Sequence, residues 1–139
     1  MLIRVLIADA DTNATGYYRE QLPRYGFEVE TASGGVECVE KLREFAPHVL
    51  VLEPSLPWGS GAGVLARMHE DRDVPLVPVI VVTYADNCPS LSHLVPYPVD
   101  DYQIKPLTAK RLAERILAVA DRPRAEATCQ TQPVQGVRR

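Results

Sequence analysis

Four side chains able to do chemistry stand at the ends of apolar runs. Asp9 follows "IRVLIA", Glu53 follows "HVLVL", Thr83 closes "VPVIVVT" and Lys105 closes "DYQIK". They lie 44, 30 and 22 residues apart along the chain. Two carboxylates, a hydroxyl and an ammonium brought to one place form a polar pocket in which Lys105 is the expected partner of Glu53. Such a buried pair is worth little net while intact and costs much when one side is removed. Glu53 is the most telling, because it follows four apolar residues, Val49 to Leu52, and precedes Pro54, Pro57 and the glycines 59, 61 and 63. Asp11 adds a further acid beside Asp9. Other chemistries are poorly supplied. His48, His69 and His93 have no metal-ligand spacing, and Cys38, Cys88 and Cys129 form no CxxC pair. "GSGAG" lacks the third glycine of a dinucleotide fingerprint, since Val64 and Ala66 occupy the places it would need, and reads as turn and helix-start glycine.

The elements that must position these groups are legible as alternation. Runs over 3–8, 27–31, 48–52, 77–83 and 101–105 have strand length and β-branched content. Between them lie helical segments over 13–25, 34–45 and 61–71, and the last helix follows at 108–120. In that last helix Leu112, Ile116 and Val119 recur at i, i+4 and i+7, with Thr108 placed as the N-cap. Three of the strands are continuously apolar rather than alternating, which predicts helices on both faces of a doubly wound parallel sheet. A fourth crossover helix is due over 87–101, but Pro89, Pro96 and Pro98 make it short or irregular. In such a sheet the strand tips at Asp9, Glu53, Thr83 and Lys105 share one edge, where ligands bind.

Composition excludes several classes. The 139 residues carry 15 Lys and Arg against 18 Asp and Glu, a net charge of −3. Residues 1–120 alone carry 11 against 16, so no nucleic-acid surface is expected. No apolar run approaches the roughly 20 residues of a membrane span, and the early acids of "MLIRVLIADAD" do not suit a signal peptide. The expectation is a cytoplasmic, soluble domain over 1–120. The polar segment 121–139 reads as a flexible tail or linker, too short for an output domain.

"VLIADAD", "VETASGGVECVEKL", "PHVLVLEPSLPWGSG", "VIVVT" and "DDYQIKP", in that order and spacing, resemble a response-regulator receiver domain of two-component signalling over residues 2–120. The resemblance implies a flavodoxin-like sheet of order 2-1-3-4-5. It also implies an acid pair holding Mg²⁺ at Asp9 and Ala10, and a phosphoacceptor at Glu53. Thr83 and Lys105 would read the phosphoryl oxygens, and Tyr102 would be the aromatic that changes rotamer. Two positions depart from the family. Ala10 stands where a metal-binding acid belongs, and Glu53 is one methylene longer than the nucleophilic aspartate.

These departures predict a pseudo-receiver: a protein-interaction module working without phosphorylation, not an enzyme, with Mg²⁺ binding weak or absent at the degenerate Asp9, Ala10 and Glu53 site. Its expected partner is a protein of a signalling pathway, a histidine kinase or an effector, and the chain itself is expected as a monomer or weak homodimer. Leu94, Val95, Tyr97 and Val99, in "HLVPYPVDDY", are the expected contacts. Three alternatives stay open: a working phosphoacceptor using Glu53 or Asp11, a small-ligand binder using the vacated pocket, and a relic pair of Glu53 and Lys105 with no signalling value. Trp58, the single tryptophan, either covers its loop or anchors a partner.

Overall fold

A computed structural model describes residues 2–121. Five strands, β1 (Ile3–Ala8), β2 (Phe27–Ala32), β3 (Val49–Leu52), β4 (Val79–Thr83) and β5 (Asp101–Ile104), form one parallel sheet of order β2-β1-β3-β4-β5. The helices are α1 (Thr12–Gln21), α2 (Gly35–Phe45), α3 (Ser60–Glu70), α4 (Cys88–Ser92) and α5 (Ala109–Ala120). Strand alternation sorts the core into two layers. Leu6, Ala8, Leu50, Leu52, Val79 and Val81 face Cys38, Leu42 and Leu65 of α2 and α3. Val5, Ile7, Val49, Val51, Ile80 and Val82 face Tyr18 of α1 and Leu112, Ile116 and Val119 of α5. Both faces of the sheet are therefore covered, as the continuous apolar strands require.

Three local features depart from or refine the sequence reading. The helix expected over 13–25 stops at Gln21, and the chain tightens into a 3-10 turn over Leu22–Tyr25. Pro23 cannot donate to the carbonyl four residues back, and Gly26, at φ 93°, turns the chain into β2. Thr108 caps α5 as expected, its hydroxyl accepting from the Arg111 N–H at 3.1 Å. The α4 helix has five residues, matching the proline-based expectation.

The short α4 has consequences for what lies after it. Leu94, expected as a surface contact, is fully buried instead. With so little helix available, the segment after α4 must itself close the core, and Leu94 packs into the layer that holds α2 and α3. Tyr97 and Val99 are half-buried against the same layer, and Val95 remains 78% exposed. On β5, Tyr102 and Ile104 pair with Val81 and Thr83 and point to this under-covered side; they are 53% and 61% exposed.

The β3–α3 loop is pinned by close backbone approach. The Gly35 and Val36 N–H groups donate to the Pro57 and Trp58 carbonyls, each at 2.9 Å. A Cβ on Gly61 would lie 2.7 Å from the Pro54 Cα, so only glycine fits there. Trp58 adopts φ 55° and is 79% exposed, so its ring does not bury the loop. The polar segment 122–139 lies outside the described residues.

Candidate functional site

The pocket is assembled from strand tips. Asp9 follows β1, held by its N–H donating to the Ala32 carbonyl, and Glu53 follows β3, its N–H donating to the Ala8 carbonyl, both at 2.9 Å. Thr83 ends β4, and Lys105 follows β5 with its N–H donating to the Thr83 carbonyl at 2.9 Å. All four side chains are buried; Asp9, Glu53 and Lys105 line a cavity of about 510 Å³ together with Ala10, Asp11, Ser55, Tyr84, Asp86 and Asn87, and Thr83 lies behind Glu53, to which its hydroxyl donates.

Lys105 is the centre of the arrangement. Its Nζ lies 2.7 Å from Asp9 Oδ2 and 3.1 Å from Glu53 Oε1, with both ion pairs shielded from water. The same ammonium sits 5.1 Å from the centre of the Tyr84 ring. Burial disfavours the charged lysine, yet the hydrogen bond and charge of Asp9, reinforced by Glu53, hold its pKa above the ordinary value.

Glu53 is more heavily committed. Its Oε2 accepts from the Ser55 N–H at 3.1 Å, the Ser55 hydroxyl at 2.9 Å, the Thr83 hydroxyl at 2.9 Å and Asn87 Nδ2 at 3.3 Å. Burial alone pushes this carboxyl up, but the Ser55 amide, Lys105, the Ser55 hydroxyl and Thr83 outweigh it and hold the pKa below the usual glutamate range. Ala10 lines the cavity with a methyl group and offers no side-chain oxygen.

The remaining sequence candidates take other places. Asp11 reaches the cavity rim, but its Oδ1 accepts from the Asn13 and Ala14 N–H groups at 3.0 and 3.4 Å as the N-cap of α1. Tyr102 stays at the sheet surface and is not among the cavity lining. His48 is a packing histidine: Nδ1 accepts from the Arg4 N–H at 2.8 Å. Sequence reasoning missed Ser55 and Asn87. Ser55 leaves a faint signal, since a carboxylate accepting the N–H two residues on is a common turn, seen here also at Asp9, Asp11 and Asp71. Asn87 sits in a loop without periodicity, and nothing in its spacing points to Glu53.

A parallel sheet of this order, with acids at the tips of β1 and β3, a hydroxyl at β4 and a Lys-Pro step after β5, defines the receiver class of signalling domain. The chain belongs to the response regulator receiver domain family, whose family model matches residues 5–117, and thus to two-component signalling. It is similar to the probable transcriptional regulator ycf27 of Guillardia theta, at 32% identity over 120 residues, covering 86% of this chain and 46% of that protein. It is also similar to the transcriptional regulatory protein PrrA of Mycobacterium tuberculosis, at 29% identity over 132 residues, covering 94% and 55%. The chain thus spans about half the length of the curated relatives it matches. Among solved structures, the CheY-like receiver domain protein of Methanospirillum hungatei JF-1 superposes with a TM-score of 0.76 at 27% identity, covering 87% of this chain and 95% of that one. The BeF3-activated DrrB receiver domain gives 0.72 at 29% identity, covering 88% and 100%. Among the described residues, no helix is long and apolar enough to cross a membrane.

Proposed function

We propose that this receiver acts as a protein-interaction module whose pocket is held in one charge state, so that binding, not phosphoryl transfer, is its output. The observation that supports this is the saturation of Glu53: four donors converge on Oε2, and Lys105 occupies Oε1. Phosphoryl transfer is almost wholly positioning and charge neutralisation, so an acceptor oxygen must be free, aligned and backed by a cation. Here neither oxygen is free.

The donor set does not fit Mg²⁺. The ion demands near-octahedral oxygens at about 2.0 to 2.1 Å. Ala10 supplies none, Asp9 Oδ2 holds Lys105, and Glu53 is spent on five donors. Of the two other acids on the lining, Asp11 is committed to the α1 N-terminus, which leaves Asp86 as a single carboxylate, short of an octahedral oxygen set. The module works in the cytoplasm, without direct nucleic-acid contact, as a monomer or weak homodimer. Its partner is a histidine kinase or effector of a two-component pathway, met through exposed Val95 and half-buried Tyr97 and Val99.

Incubation with acetyl phosphate and MgCl₂ followed by intact-mass measurement tests the reading. No species heavier by about 80 Da, one phosphoryl group, is expected. A stoichiometric adduct on Glu53 or Asp11 overturns the reading and makes the chain a working phosphoacceptor.

A further inference from the structure

We infer that Asn87 is a strut that couples Glu53 to residues 88–100, so that the charge held in the pocket fixes the shape of the segment presenting Val95 and Tyr97. Asn87 immediately precedes α4, where an asparagine side chain ordinarily caps the helix. Its side chain makes no capping hydrogen bond. Instead Nδ2 donates into the pocket, to the Thr83 hydroxyl at 2.8 Å and to Glu53 Oε2 at 3.3 Å. The local cap has been given up for the Thr83 hydroxyl, four residues back and itself bonded to Glu53, and for Glu53, 34 residues away.

The backbone carries that contact onward. The Asn87 carbonyl accepts from the Leu91 N–H at 3.2 Å, the Leu91 carbonyl from the Leu94 N–H at 3.0 Å, and the Leu94 carbonyl from the Tyr97 N–H at 2.9 Å. The Tyr97 ring then stacks on His69 of α3, with centroids 5.7 Å apart. At the far end the Asp100 N–H donates to the Val79 carbonyl, and Asp100 Oδ1 accepts from the Val79 N–H, both at 2.9 Å. The segment is therefore tied to the sheet at both ends and plugged at its middle by Leu94. Only the Asn87 end is tied through the charged group at the pocket's centre. A five-residue helix has little cohesion of its own, so this end tie governs its opening.

The coupling rests on the proposed reading only in treating 88–100 as the interaction surface, and it is tested apart from that reading. Asn87→Asp is nearly isosteric and caps helices as well as asparagine does, but it sets a second carboxylate against Glu53. Hydrogen–deuterium exchange is followed at the Leu91, Leu94 and Tyr97 amides, with β1 and β3 amides reporting the intact fold. In Asn87→Asp the three amides are expected to exchange about tenfold faster or more, while β1 and β3 are unchanged. In the double variant Glu53→Gln with Asn87→Asp, the new amide donates to the new carboxylate, and exchange returns to within about threefold of wild type. Unchanged or slower exchange in Asn87→Asp, as a purely local cap would give, overturns the strut. So does a double variant no better protected than the single one. A phosphoryl adduct on Glu53 alongside the expected exchange pattern would remove the proposed function and leave the strut standing.

Discussion

Lys105 serves two buried carboxylates with one ammonium, and that imbalance sets what its removal does. In Lys105→Met, Asp9 and Glu53 face each other without a counter-charge, and urea unfolding at pH 7 is expected to show a loss of about 3 to 5 kcal/mol. The loss shrinks on acidification, because protonation within the pair relieves the repulsion. Wild type behaves in the opposite sense. Glu53 has a depressed pKa in the folded state, so its contribution is complete above the ordinary glutamate value of about 4.3 and is lost as pH falls through the lower folded value. The raised pKa of Lys105 acts at the other end: its contribution is complete below about 10.4 and fades as pH rises past the folded value. The stability difference between wild type and Glu53→Gln, measured by urea titration at several pH values, is expected to be flat from about pH 5 to 8 and to collapse in acid. A difference that grows in acid contradicts the assignment.

The tips of β1, β3 and β4 are readable because these strands are the largely continuous apolar ones, so a polar residue at the end of each marks where the chain leaves the core. That signal marks Asp9, Glu53 and Thr83; Lys105 follows the more polar "DYQI" and is marked instead by strand length and the Lys-Pro step, and all four meet in the structure. Loops carry no such period, which is why Ser55 and Asn87 escaped and why Leu94 was placed on the surface. The prolines announced that α4 would be short, but not which side chain would then fill the core. At the β3–α3 junction the glycines make a sharper test. Gly61→Ala drives a Cβ to 2.7 Å from the Pro54 Cα, and the loop carrying Ser55 must shift; a loss of about 1 to 3 kcal/mol is expected in urea unfolding. Gly16 is inside α1 with nothing within 4 Å of a new Cβ. Gly16→Ala is expected to stabilise by about 0.5 to 1 kcal/mol. Equal effects at the two sites would mean that the close approach at Gly61 is not what fixes the loop.

For the molecule as a whole, the proposed function implies that competition between Lys105 and any metal for the same carboxylates limits how far Mg²⁺ stabilises the fold. With a dissociation constant in the millimolar range or weaker, about 10 mM Mg²⁺ raises the unfolding free energy by no more than about 1.4 kcal/mol. Thermal unfolding with and without the ion checks this, and a larger rise would mean a site that the donor set does not provide.

The saturation of Glu53 also bears on how such a domain can carry information. A switch is read from the fraction of molecules in each state; a pocket with one state has no such fraction to read. Under the proposed function, partner occupancy then follows mass action between two concentrations. Output is graded by how much of the chain is made and how fast it is destroyed, so the regulating step moves from the pocket to synthesis and turnover, and the domain becomes a measure of dose.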